Sequence, residues 1–208
     1  MNPLLFLKLG GSLITDKTRP RVPQIEVLDR LATEILSALD AKPGLRLVVG
    51  HGSGSFGHVS AAQYGTRQGV ATPSQWRGFV EVWQDARALN QLVVERLSLA
   101  GLPVIALPPS ASVTAADGTI TAWQLDPLLA ALNAGLVPLI NGDVIFDTIR
   151  GGTILSTEEL FLHLARTLHP QRILLDHWSP EAVARVILKA LRSASPAARY
   201  AAGSTARA

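Results

Sequence analysis

Four side chains suited to phosphoryl chemistry stand beside glycines in this chain. Lys8 precedes Gly10-Gly11-Ser12, and Lys17 follows a few residues on. His58 closes the stretch Gly50-His51-Gly52-Ser53-Gly54-Ser55-Phe56-Gly57, and Asp143 follows Asn141-Gly142. Backbone N–H groups of glycines approach phosphate oxygens closely, and helix N-termini favour anions. Lysine supplies a point charge for a phosphoryl group in transit. Either nitrogen of an imidazole can donate a hydrogen bond to a phosphomonoester. Two glycine loops with two lysines describe a site for two phosphorylated molecules. Lysine occurs only at positions 8, 17, 42 and 189, so two of the four fall around the first loop.

The glycines at 52, 54 and 57 also fit G-x-G-x-x-G, the dinucleotide fingerprint. That motif belongs in the first βα turn, with an acid about 20 residues on at the end of the next strand. Here it follows the second expected strand, and the acid at that distance, Glu81, falls within a helical pattern. The dinucleotide reading is therefore disfavoured, and the P-loop pattern G-x-x-x-x-G-K-[ST] is absent. Each single residue also has a plainer reading. Lys17 could be a solvated loop lysine, His58 a helix cap and Asp143 an Asx-turn residue. Lys8 is harder to dismiss, because an amine within an apolar strand is costly without a partner. His51 is read as structural.

The 208 residues are 48% hydrophobic and 17% charged, enough for one sizeable core. The formal charge of +3 is spread over scattered, mostly arginine residues with no dense stripe, and a small anionic substrate explains it at least as well as nucleic acid. No cysteine is present, so thiolate metal sites and disulfides are excluded. No apolar run approaches the roughly 18 residues of a membrane span, and the N-terminal run is too short for a signal sequence. A soluble cytoplasmic protein is expected.

Periodicity predicts strands at 4–9, 45–49, 104–107, 137–140 and 172–175. It predicts helices at 24–39, 59–64, 75–100, 126–134, 156–168 and 181–193, with a hairpin about Asp117-Gly118 and a turn at 150–152. Strands alternating with helices mean a three-layer αβα sandwich on a mostly parallel central sheet, with ligands at the carboxyl ends of the strands. A single domain is expected over 1–192, and 193–208, rich in Ala, Ser and Arg, reads as a loose tail.

The stretches "LKLGGSLITDK" (7–17), "GHGSGSFGH" (50–58), "YGT" (64–66) and "NGDVIFD…RGGTILSTEEL" (141–160) resemble the isopentenyl phosphate kinases, a branch of the amino-acid kinase superfamily. The resemblance implies phosphorylation of isopentenyl phosphate by ATP with Mg2+, and a homodimer. It implies that Lys8, Gly10, Gly11 and Ser12 hold ATP phosphates, with Ser53 and Asp176 on the nucleotide side. Lys17 would stabilise the moving phosphoryl group. His58, Gly52, Gly54 and Gly142 would meet the acceptor, and Asp143 would orient the first-loop lysine. Ser53 stands where the family usually has glycine. Trp76, Phe79 and Trp83 share a helical face, as core or as the wall of an isoprenoid pocket, with core packing preferred.

The family pattern stops at Leu175. Its later glycine loop and second phosphate lysine have no match, so the C-terminal nucleotide segment is expected to be shortened. Two alternatives follow: a pseudokinase that binds phosphorylated ligands without catalysis, and a kinase of a phosphonate such as fosfomycin.

Overall fold

Alternation along the first strand sets the layers. In β1 (Leu4–Leu9), Leu5, Leu7 and Leu9 face one side and Leu4 and Phe6 the other, so Lys8 shares the side of Leu4 and Phe6. The computed structural model describes residues 2–175, 180–192 and 200–201, the side chains of His58, Val59, Tyr200 and Ala201 excepted. After β1 come α1 (Gly11–Ile14), α2 (Ile25–Ala41), β2 (Arg46–His51), α3 (Gly54–Tyr64), α4 (Pro73–Leu99) and β3 (Val104–Ala106). The chain continues through β4 (Val113–Ala116), β5 (Thr119–Trp123), α5 (Asp126–Asn133), β6 (Val137–Asn141), β7 (Asp143–Asp147) and β8 (Gly151–Leu155). It ends with α6 (Thr157–Leu168), β9 (Arg172–Leu175), α7 (Val183–Arg192) and β10 (Tyr200–Ala201).

The central sheet has six strands in the order β10-β9-β1-β2-β6-β3, all paired in parallel. On one face, Leu5, Leu7 and Leu9 meet α2, α4 and α7 through Leu28, Leu31, Ile35, Leu89 and Ile187. On the other, Leu4, Phe6, Val48 and Ile140 meet α5 and α6 through Leu128, Leu132, Leu160 and Phe161. This is the expected three-layer sandwich. Helix α6 shows why its residues fold so: Thr157, Leu160, Phe161 and Leu164 are buried at helical spacing, and Ser156 with Glu159 forms a complete capping box. Among the described residues no helix is long and apolar enough to cross a membrane.

A second, four-stranded sheet, β5-β4-β7-β8, was only partly foreseen. The hairpin at Asp117-Gly118 joins β4 to β5, and both turn residues have positive φ, as a tight hairpin of this kind requires. Strands β7 and β8 were not expected. Gly142 reads in sequence as the centre of a loop, but it alone separates β6 from β7, so Asp143 opens a strand instead of sitting in a turn. Helix α3 likewise begins at Gly54, earlier than the expected 59, so most of the glycine stretch is already helical. Of the expected tail, Tyr200–Ala201 pairs with β9; the rest lies outside the described residues, as does Asp176.

Asp147 ties the two hairpins together. Its buried carboxylate accepts N–H bonds from Asp117 (3.0 Å), Gly118 (2.7 Å), Ile149 (2.9 Å) and Arg150 (2.8 Å). Burial opposes ionisation, but these donors outweigh it and hold the carboxyl below its ordinary pKa. The stabilisation is thus present above about pH 4 and lost as pH falls through the lowered folded value. We expect Asp147→Asn to cost about 2 kcal/mol at neutral pH, roughly 4–8 °C of Tm. The gap from the parent protein should narrow below about pH 4. Thermal melts across pH check this, and a gap constant with pH would contradict it.

Candidate active site

The carboxyl ends of three strands meet in register. Lys8 lies opposite Gly50, Leu9 opposite His51, and His51 opposite Asn141. The turns that follow β1, β2 and β6 therefore leave the sheet side by side. They enclose a cleft of about 420 Å3 lined by Lys8, Gly11, Ser12, Gly52, Ser53 and Gly54, and further by Gly142, Asp143 and the residues opening α6. A second cavity of about 360 Å3 adjoins it, sharing Ser12 and Gly54, and is lined by Lys17, Thr15 and Ser55.

The first two loops touch backbone to backbone. A Cβ placed on Gly11 would strike Gly54 Cα at 2.7 Å, and one on Gly54 would strike the Gly11 carbonyl at 2.6 Å and the Thr15 methyl at 2.8 Å. Thr15 fixes the contact, its hydroxyl donating to the Gly11 carbonyl (2.6 Å) and accepting from the Ser55 N–H (2.9 Å). The first turns of α1 and α3 are thereby set against each other.

Lys8 gains its partner through an absence. Gly50, its neighbour on β2, has no side chain, and a Cβ there would strike the Thr157 methyl at 2.6 Å and the Phe161 ring at 2.8 Å. The start of α6 occupies that space and brings Glu158 to Lys8, with Nζ 2.8 Å from Oε1. The lysine side chain is 14% exposed and the glutamate 45%, so the pair runs from the sheet into the cleft. Burial alone would raise the glutamate's pKa, but the hydrogen bond and charge of Lys8 help hold it below the ordinary value. Glu158 was missed in the sequence, where Ser156 and Glu159 read as a helix cap and the acid between them drew no notice.

Asp143 is buried. One oxygen accepts from the Ser110 N–H (3.1 Å) and the other from the Val144 N–H (2.9 Å), while burial pushes its carboxyl above the ordinary pKa. His51 lies on the opposite face of β2. Its Nδ1 donates to the Gly52 carbonyl (3.0 Å), and Nε2 meets the Asn90 amide of α4 (3.0 Å). Burial pushes its pKa down, and the contacts of the ring with Gly52 and Asn90 hold the glycine loop, in line with a structural reading. The His51 carbonyl also accepts the Thr157 hydroxyl (2.6 Å) and the Gly142 N–H (3.3 Å), joining β2, β6 and α6 at one point.

The expected residues thus fall into three sets. Lys8, Gly11, Ser12, Gly52, Ser53, Gly54, Gly142 and Asp143 line the main cleft, and Lys17 lines the adjoining cavity. Gly10 caps α1, its carbonyl accepting from the N–H groups of Leu13 and Ile14, and is not part of either lining. The backbone of His58 belongs to α3, but its side chain and all of Asp176 lie outside the described residues. Two features were not foreseen. Arg67 lines the cleft while paired with Glu159 at 2.8 Å, and part of the lining is apolar: Ala61, Val82 and Ile154, which belong to one hydrophobic cluster, and Ala86. Trp76 and Phe79 pack around Val70, Val144 and Phe146 instead, and with Trp83 they stay off the cleft lining, which supports the core reading.

A parallel sheet with glycine turns and a lysine at one carboxyl edge is the arrangement of a phosphate-handling α/β protein. The chain belongs to the amino acid kinase family, whose profile matches residues 3–175. Within that family it is similar to the isopentenyl phosphate kinase of Methanocaldococcus jannaschii, at 31% identity over 82% of this chain and 67% of the relative. The Methanothermobacter thermautotrophicus enzyme of the same name is 32% identical over 83% of this chain and 66% of the relative. This chain therefore spans about two thirds of their length. A solved isopentenyl phosphate kinase superposes with a TM-score of 0.76 at 31% identity, covering 83% of this chain and 70% of that one. The Thermoplasma acidophilum enzyme in its product complex gives 0.71 at 30% identity, covering 83% and 69%.

The loop contact yields a stability test. Gly54 has φ +51° and is crowded, whereas Gly135 has φ +76° and nothing near its would-be Cβ. Gly135→Ala should cost about 1 kcal/mol, the left-handed penalty alone. Gly54→Ala should cost roughly 3 kcal/mol or more, because backbone must also move. Denaturant midpoints measure both, and equal losses would contradict the tight contact.

Proposed function

We propose that this chain transfers the γ-phosphoryl group of ATP to isopentenyl phosphate, giving isopentenyl diphosphate and ADP. The observation that carries this reading is the mixed lining of the cleft, which combines glycine turns and Lys8 with the apolar side chains of Ala61, Val82, Ala86 and Ile154. Such a space suits a molecule with a phosphate head and a short hydrocarbon tail. The names of the relatives supply the particular acceptor.

Phosphoryl transfer asks for positioning and charge neutralisation. The acceptor nucleophile is a phosphate oxygen, already ionised at neutral pH, so no general base is needed. That oxygen bonds to the γ-phosphorus as the bond to the β–γ bridging oxygen breaks, and ADP departs with the electron pair. In this reading Lys8, Gly11 and Ser12 hold the phosphates of ATP, with Gly10 shaping the turn. Ser53 and Asp176 belong to the nucleotide side, and Lys17 neutralises the group in transit from the adjoining cavity. Gly52, Gly54 and Gly142 offer the acceptor close backbone approach, and His58 binds its phosphate.

Glu158 is added here. Its ion pair aims the Lys8 amine, a task first assigned to Asp143, while the carboxylate of Asp143 is itself held by Ser110 and Val144. Mg2+ fits as a partner of the ATP phosphates. Among the described residues no cluster of acids or histidines could hold a metal alone, and Mg2+ on nucleotides needs few protein ligands. We also propose a single domain over 1–192; the homodimer rests on the family resemblance alone.

Incubation with ATP, Mg2+ and isopentenyl phosphate, followed by 31P NMR, should show the monoester resonance replaced by those of a diphosphate and ADP. Absence of turnover would refute the assignment. Glu158→Gln should lower kcat roughly 10- to 100-fold by releasing Lys8. His58→Ala should raise the acceptor KM roughly tenfold or more while sparing that of ATP. An equal rise in both would contradict the role given to His58.

A further inference from the structure

The segment between α1 and α2 carries Lys17 and closes on itself. Thr15 and Pro23 form an antiparallel bridge, the Asp16 N–H donates to the Val22 carbonyl (2.9 Å), and the Gln24 N–H donates to the Ile14 carbonyl (2.8 Å). Its tip is organised by Asp16, whose carboxylate accepts from the Thr18 N–H (2.8 Å), the Thr18 hydroxyl (2.7 Å) and Arg19 Nε (2.8 Å). Lys17 is therefore mounted on a loop with internal order. What sets that loop against the rest of the cleft is a separate question.

Arg21 answers it. Its N–H donates to the Ser55 carbonyl (3.3 Å), and its guanidinium lies 2.6 Å from Asp85 Oδ1. Asp85 belongs to α4 and is only 6% exposed, and its other oxygen accepts the Ser60 hydroxyl of α3 at 2.8 Å. Arg21 holds φ at +57°, a conformation that side chains other than glycine seldom adopt. A buried carboxylate wedged between two helices is costly unless a cation reaches it. Arg21 is that cation, supplied from the loop that carries Lys17, while Ser60 lies on the helix that begins with the acceptor's glycine turn.

We propose that the Arg21–Asp85–Ser60 bridge is a positioning device that fixes Lys17 relative to the acceptor loop and so governs the rate of phosphoryl transfer. The proposal rests on the kinase reading above. A lysine that neutralises a group in transit acts most strongly in the transition state. Loosening its loop should therefore lower kcat and leave ground-state binding little changed.

The test uses the full chain with Arg21→Gln, Arg21→Lys, Lys17→Ala and the Arg21→Gln/Lys17→Ala pair. The Arg21 side chain is 64% exposed, so its replacement opens no cavity, but it leaves the Asp85 carboxylate without its cation and should lower Tm by several degrees. Arg21→Gln, assayed well below its Tm, should lower kcat roughly 10- to 100-fold, with KM for ATP and acceptor changed less than about threefold. Arg21→Lys, which keeps the charge, should recover most of the rate. The pair should be no slower than Lys17→Ala alone, because both act through one amine. An unchanged kcat in Arg21→Gln overturns the proposal, as do rate losses that multiply in the pair, or a rise in both KM values. If the parent protein turns over no phosphomonoester, the kinase reading itself fails. Amide exchange over residues 15–23 then decides whether the bridge holds the loop: faster exchange in Arg21→Gln supports it, and unchanged exchange overturns it.

Discussion

An amine on the buried face of a central strand must find an opposite charge, and the arrangement around Lys8 follows from that need. Alternation along β1 puts Lys8 on the face covered by α6. The bare backbone of Gly50 lets α6 come close, and the first turn of that helix delivers Glu158. The interaction is local, but it sets the position of a helix start relative to three strand ends. A lysine fixed in this way can meet a phosphate without first being ordered, and such preorganisation is what charge stabilisation in a transition state requires.

The glycine turns make a second demand. Side chains at Gly11 or Gly54 would force the loops apart; Thr15 holds them together, and His51 fixes the second loop through the Gly52 carbonyl. The glycines therefore serve packing before they serve any ligand: close approach of backbone to backbone is the same property that permits close approach to phosphate. Ser53 fits within this arrangement: it stands just before α3 and its carbonyl accepts the Phe56 N–H at 3.1 Å.

What the sequence made legible was local. Lys8 beside two glycines, the order of strands and helices, and the capping box at Ser156 could be read from spacing, and the parallel sheet followed from the alternation. What it concealed depends on contacts between distant segments. Glu158 gains meaning only because Gly50, more than a hundred positions earlier, leaves room for α6. The apolar part of the cleft lining needs α3, α4 and β8 together, and no short window contains all three. Gly142 misled for a different reason: a glycine between a strand and an acid reads as a turn, whereas here the chain crosses from one sheet to another through a single residue. Arg67 directly follows the "YGT" stretch at 64–66, but its place on the cleft depends on how that loop meets α6 and could not be read from the stretch alone.

The most direct test is an experimental structure with isopentenyl phosphate and a non-hydrolysable ATP analogue bound together. The account places the acceptor phosphate on the Gly52–Gly54 turn with its hydrocarbon among Ala61, Val82, Ala86 and Ile154, and it places the γ-phosphate between that phosphate and the amines of Lys8 and Lys17. An acceptor seated outside the cleft, or a γ-phosphate on the far side of the Gly11–Gly54 contact from it, would contradict the account.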